Sequence, residues 1–432
     1  MKYYSTNNIS PAVDFREATI QGQAPDKGLY FPERIPLFPK EIIDNITEYS
    51  NEEIAYQIIK PYVGNTIPEE ILREIVKETI SFEIPLVKIK ENIFSLELYH
   101  GPTLAFKDIG ARFMSRCLGY FVKDLKRKVT VLVATSGDTG GAVANGFFDV
   151  DGVDVVILYP SGKVSLVQEK QLTTLGKNIH ALEVDGTFDD CQLMVKHAFT
   201  DAELNEKLFL TSANSINVAR WLPQQFYYFF AYKQWAQKNN PPVISVPSGN
   251  FGNICAGILA HVSGLPVKHF IAACNANDIV PSYMTTEKYE PKKAVATISN
   301  AMDVGNPSNF IRILQIFDHK FIDLKKVLSS CSITDEETKD TLQKIYKDEA
   351  YLLDPHGAVG YLALQQYLNQ NPNEKGIVLE TAHPVKFYNV VEPIIGDAVP
   401  VPISVQQQLI LPKKSTKIIA DNDLLKQFLL TF

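Results

Sequence analysis

Two hydrophobic rhythms alternate along the 432-residue chain. Short unbroken apolar runs occur at 129–134 (VTVLVA), 153–159 (VDVVILY), 243–246, 270–273 and 376–380. Such runs mark strands buried on both faces. Between them lie helix-like stretches at 165–175, 189–198 and 217–236. Strands alternating with helices predict an α/β fold of mainly parallel sheets. Before Pro85 the pattern differs. FREATIQ at 15–21 reads as a short helix, and 26–32 as a turn running into an extended segment. Ile54, Ile58 and Ile59, then Ile71, Ile75, Val76 and Ile80, recur at helical spacing and predict helices over 42–63 and 68–82. Pro68, Glu69 and Glu70 make a good helix start. Residues 1–90 thus read as a mostly helical N-terminal module. Residues 91–432 read as the sheet-bearing region, with a smaller α/β domain at about 110–235 inserted in a larger one.

Composition narrows the function classes. With 45% hydrophobic and 21% charged residues the chain is ordinary globular protein. A net charge of -7 argues against nucleic-acid binding. The basic run KDLKRK at 123–128 reads as a solvated helix end. The five cysteines are odd in number and lack CxxC spacing, which fits a reduced compartment. The eight histidines form no HExxH, so no metal is expected. The N-terminus lacks an apolar leader and no apolar run reaches membrane-spanning length, so the expectation is a cytoplasmic protein with no membrane partner.

The chemistry concentrates in loops. In ELYHGPTLAFKDIGAR at 97–112, Lys107 follows a turn and a short apolar step. Partial desolvation there makes an amine nucleophilic, as a carbonyl cofactor requires, although a lone lysine of this kind more often snorkels at a surface. Polar, glycine-containing loops follow the strands at 135–141 (TSGDTGG), 160–165 (PSGKVS) and 247–253 (PSGNFGN), and TAHP follows at 381–384. SANSIN at 212–217 precedes Arg220. Each alone fits ordinary capping, yet backbone N–H groups and cations at strand ends also suit anions. The spacing matches neither GxGxxG nor GxxxxGK[ST], which speaks against dinucleotides and nucleoside triphosphates. One lysine beside several anion-binding loops points to a phosphorylated carbonyl cofactor and an anionic substrate.

Over nearly its whole length the chain resembles the threonine synthase family, pyridoxal 5'-phosphate enzymes of fold type II. The resemblance is carried by HGPTLAFKDIGARF at 100–113, ATSGDTG at 134–140, LYPSGKVS at 158–165, SANSINVAR at 212–220, SVPSGNFGN at 245–253, SNAMDVGNPSN at 299–309 and TAHPVKF at 381–387. It implies two doubly wound, mainly parallel sheet domains plus the N-terminal module, acting as a monomer or homodimer. It implies that O-phospho-L-homoserine and water become L-threonine and phosphate. In that reading Lys107 is the Schiff-base lysine, and Phe106 and Asp138 line the cofactor ring. Gly249, Asn250, Phe251, Gly252 and Asn253 cradle the cofactor phosphate, and Thr381 faces the pyridine nitrogen. Ser136, Gly137 and Thr139 receive the substrate, with Lys163, Asn214, Ser215 and Arg220 at its phosphate. Two other readings remain: a related phospholyase yielding a keto acid, and a non-catalytic binding protein on the same fold, which would have no need of Lys107.

Overall fold

The computed structural model describes residues 1–123 and 128–432, so most of the basic run read at 123–128 lies outside the described residues. In chain order the strands are β1 (Tyr3–Ser5), β2 (Tyr30–Pro32), β3 (Leu86–Lys88), β4 (Ile93–Glu97), β5 (Val129–Ala134), β6 (Val153–Pro160), β7 (Ile179–Asp185), β8 (Phe209–Thr211), β9 (Val243–Pro247), β10 (His269–Cys274), β11 (Leu328–Ser332), β12 (Gly376–Glu380) and β13 (Thr416–Ile419). They form an antiparallel β1–β2 ribbon and two larger sheets, ordered β11-β10-β9-β12-β4-β3 and β13-β7-β6-β5-β8. All pairings in the second sheet are parallel, and only β3 runs against its neighbour in the first.

The continuous apolar runs explain why these strands are central. Every residue of β5, β6, β9 and β12 is buried, because helices cover both faces. At the carboxyl ends of the neighbouring strands β9, β12 and β4 begin the loops at 248–251, 381–383 and 98–106. In the second sheet β5, β6 and β8 release the loops at 135–137, 161–165 and 212–217. This is where open parallel sheets bind ligands.

The N-terminal module packs its helices into the same core as the sheets, with Phe15, Ile54, Ile59 and Leu72 buried beside Phe113 and Phe226. The helix read over 42–63 is interrupted. Lys40–Asp44 and a turn of 3₁₀ helix at Ile46–Glu48 precede Asn51–Val63, whose start is fixed by Ser50 accepting from the Glu53 N–H. The stretch read at 217–236 is likewise three pieces: Val218–Trp221, a 3₁₀ turn at Leu222–Gln224, and Gln225–Gln234. Pro223, which has no N–H to give, lies in the turn.

Candidate active site

Lys107 is delivered by a pairing between two loops. Phe106 N–H donates to Thr381 O at 2.9 Å, His383 N–H donates to Leu104 O at 3.1 Å, and Ala105 bridges Ala382 antiparallel. Lys107 is then the first residue of the Lys107–Val122 helix. The turn before it is locked by buried Asp108, which accepts from Thr103 N–H at 2.9 Å and Thr103 Oγ1 at 2.5 Å. Gly101 is required beside it, since a Cβ there would lie 2.5 Å from Asp108 Oδ2. The Lys107 Nζ ends 3.9 Å from Asp138 Oδ2 and 5.6 Å from the centroid of the Phe106 ring. Burial pushes the Lys107 amine below the usual lysine range. Asp138 pulls the other way, and Lys386 and Arg220 add to the depression.

Asp138 starts the Asp138–Phe147 helix. Its burial opposes ionisation, but Lys386 and Lys107 outweigh that and hold the carboxyl well below the usual range. The loop before it is shaped by Thr135, whose Oγ1 accepts from the N–H groups of Gly137 at 2.9 Å and Gly140 at 2.8 Å. Gly137 has φ 132°, and a Cβ on it would lie 2.5 Å from the Gln168 side chain, so only glycine fits. Ser136 and Thr139 are half-buried at this helix start.

The loop after β9 turns on Phe251, which adopts the left-handed conformation with φ 61° just before the Gly252–Val262 helix. The first amides of that helix offer an anion site. Gly249 packs so closely that a Cβ would lie 2.8 Å from Met302 Cα. Asn253 Nδ2 donates to Pro247 O at 2.8 Å, which fixes the loop. Asn309 ties the loop to its neighbour: Nδ2 donates to Asn250 O at 3.1 Å and to Ser215 Oγ at 3.0 Å.

Ser215, grouped by sequence with the substrate phosphate, therefore stands against the Gly252 turn, where a glycine Cβ would be 3.2 Å from its own. Arg220 is buried, donates from Nη1 to Ala213 O, and leaves Nε without a partner. Burial pulls its guanidinium down to about 10, so it stays charged at neutral pH. Among the described residues it makes no ion pair. Asn214 is half-buried in the same loop, and Lys163 is exposed in the turn after β6. Thr381 is buried at the end of β12. His383 accepts from Val385 N–H at 3.1 Å and meets the Tyr99 ring at 5.2 Å, and its burial pushes it down to about 4. It caps a turn as a neutral ring.

Sequence reasoning passed over Lys386, Gln168, Thr103 and Asn309. All of them lie inside or beside the motifs quoted above, but nothing in local spacing shows that Gln168 and Lys386 both reach Asp138, at 3.0 and 2.9 Å.

The pyridoxal-phosphate dependent enzyme family matches residues 36–380, and the C-terminal threonine synthase family matches 357–429. Threonine synthase of Serratia marcescens is 44% identical over 431 residues, covering 100% of this chain and 99% of that protein. The crystal structure of threonine synthase from Escherichia coli superposes with a TM-score of 0.92 at 43% identity, covering 100% of both chains. The PLP-bound threonine synthase from Brucella melitensis gives a TM-score of 0.93 at 34% identity, covering 99% of this chain and 98% of that one. The chain belongs to the threonine synthase family. With that membership come fold type II, a lyase activity and pyridoxal phosphate as cofactor.

The residues present fit that cofactor. A family member needs an amine for its aldehyde and donors for its phosphate. Here a half-buried amine with a lowered proton affinity sits between the loops of the two sheets, and a left-handed turn opens a helix 11 residues long. The buried Arg220 guanidinium has one unpartnered N–H, a donor that calls for an anion.

Proposed function

We propose that this threonine synthase family member converts O-phospho-L-homoserine and water to L-threonine and phosphate, with Lys107 as its catalytic amine. The carrying observation is the placement of Lys107: a half-buried amine, 3.9 Å from Asp138, where the loops of both sheets meet. Bound pyridoxal phosphate would supply an aldehyde for an amine and an electron sink for proton loss next to the substrate nitrogen. Gly249 to Asn253 would hold its phosphate, Phe106 and Asp138 would lie along its ring, and the Thr381 hydroxyl would meet its pyridine nitrogen.

The chain's own residues divide the remaining work. The Lys107 amine, its proton affinity lowered by burial, takes and returns a proton at Nζ. Asp138 is fixed beside it as an ion and favours the protonated amine when a proton is held there. Arg220, with Asn214 and the Gly137 to Thr139 turn, holds the leaving phosphate, since N–H donors aimed at developing charge in a dry site stabilise it strongly. Ser136 orients the substrate. Ser215 serves the cofactor end through Asn309 and Gly252, and Lys163, exposed, reaches the substrate phosphate only when the second sheet swings inward. Closure of a smaller domain, residues 110–235, over the substrate would exclude water until the addition step. The protein acts in the cytoplasm as a monomer or homodimer.

The test is an assay of purified protein with pyridoxal phosphate and O-phospho-L-homoserine, measuring threonine and phosphate together. Equal amounts of both, lost by at least about 10³-fold in Lys107→Ala, support the reading. Formation of 2-oxobutanoate and ammonia instead would move it to a phospholyase.

A further inference from the structure

Lys386 is the one lysine of the site that no step above uses. It lies in the 3₁₀ turn Pro384–Phe387 after β12, with 0% exposure. Its neighbours Val385 and Phe387 belong to an apolar cluster with Leu104 and Val167. Burying an ammonium among them is costly unless its charge is matched. Its Nζ donates to Thr103 O at 2.8 Å and stands 2.9 Å from Asp138 Oδ1. The Thr103 carbonyl does not need it, because Gln171 Nε2 donates to the same oxygen at 3.1 Å. What Lys386 alone supplies is a charge on one oxygen of Asp138. Gln168 Nε2 binds that same Oδ1 at 3.0 Å, which leaves Oδ2 turned toward Lys107 at 3.9 Å.

We propose that Lys386 is a positioning residue for this reaction: it clamps Asp138 by Oδ1, so that the carboxylate is matched by Lys386 and held back from closing on the Lys107 amine. The proposal rests on the reading of Lys107 as the catalytic amine. The groups facing Lys107 come from four elements: Asp138 at its helix start, Arg220 on Val218–Trp221, Lys386 after β12, and Asp354 ahead of the Pro355–Gln370 helix. Lys386 and Arg220 disfavour a third cation, and the two carboxylates favour it. With Lys386 gone, Asp138 has only Lys107 to pair with.

The experiment reads Lys107 directly. Cofactor-free enzyme is acetylated competitively across a pH series, and the half-labelling pH of the Lys107 peptide is found by mass spectrometry. Lys386→Met should raise that midpoint by about one unit, a tenfold change in proton affinity. Lys386→Met with Asp138→Asn should bring it back to the wild-type value or lower, because the carboxylate is removed as well. Lys386→Arg, which keeps the cation, should stay within about half a unit of wild type. In the loaded enzyme the acidic limb of kcat, which reports the substrate complex, should move with the midpoint. An unmoved midpoint in Lys386→Met, or a double variant that stays with Lys386→Met, overturns the proposal. Should Lys386→Met fail to fold, Lys386→Gln decides by the same midpoint: a rise of about one unit supports the clamp, and an unmoved midpoint overturns it. Retained threonine formation in Lys107→Ala would instead sink the reading of Lys107, whatever the midpoints show.

Discussion

Replacing Arg312 with methionine should weaken the fold and the cofactor site together. Arg312 lies in the Phe310–Ile316 helix with 0% exposure, its guanidinium 4.4 Å from the centroid of the Trp221 ring. It donates to Tyr30 O from Nε at 3.2 Å and Nη2 at 2.9 Å, to Ile216 O at 2.6 Å, to Ser215 O at 3.1 Å and to Asn309 Oδ1 at 2.7 Å. Methionine keeps much of the packing and removes every one of these donors. Orphaning a buried acceptor costs about 1–3 kcal/mol. Relaxation and non-additivity bring the total to about 3–5 kcal/mol, the range for breaking a buried charged network. Asn309, freed of its partner, would also hold Ser215 and Asn250 less firmly, so affinity for pyridoxal phosphate should fall about tenfold or more. Urea unfolding of the cofactor-free protein can be followed by fluorescence, since both tryptophans, Trp221 and Trp235, are buried. Cofactor titration supplies the second reading. An unchanged urea midpoint would refute the stability argument, and a lowered midpoint with unchanged cofactor affinity would refute the coupling to the cradle.

Gly137→Ala places a Cβ against Gln168 at a φ of 132°, so it should cost about 2–3 kcal/mol and lower kcat by displacing Asp138; thermal melting and steady-state kinetics check both, and normal kinetics in a folded variant would refute it. Glu380 is buried, and burial together with the Asp354 charge pushes its carboxyl well above the ordinary 4.5. The folded chain therefore keeps a proton that the unfolded chain gives up above about pH 4.5, and its contribution, present below that pH, is lost as pH rises. Glu380→Gln keeps an acceptor for the Asp354 N–H, so it should be more stable than wild type at pH 8 and no different below about pH 4; equal urea midpoints at pH 8 would refute this.

The central strands were legible because burial on both faces leaves an unbroken apolar run: the ends read at 129–134 and 376–380 coincide with those of β5 and β12. Strands such as β4 and β11 were not, since Ser95 and the run Ser329, Ser330 give no such run, and their pairing is made by partners distant in sequence. The same limit governs the site. Phe106, Lys107 and Asp138 announce themselves in two local motifs, and the fold brings them together. Lys386 and Gln168 carry no local mark, because their role exists only once β12 and the Leu166–Thr173 helix lie across Asp138. Breaks inside helices were also hidden: apolar spacing continues through Pro223 and Ser50, and only capping chemistry interrupts the chain.

The last strand, β13, pairs in parallel with β7, Thr416 beside Leu182. During synthesis on the ribosome β7 emerges half a chain earlier, and its outer edge has no partner until the final stretch is made. Contacts so distant in sequence form late, and a bare strand edge invites pairing with another chain. The nascent protein must therefore pass a long interval with that edge open, and its yield in a cell will depend on how fast translation finishes and on what covers β7 in the meantime.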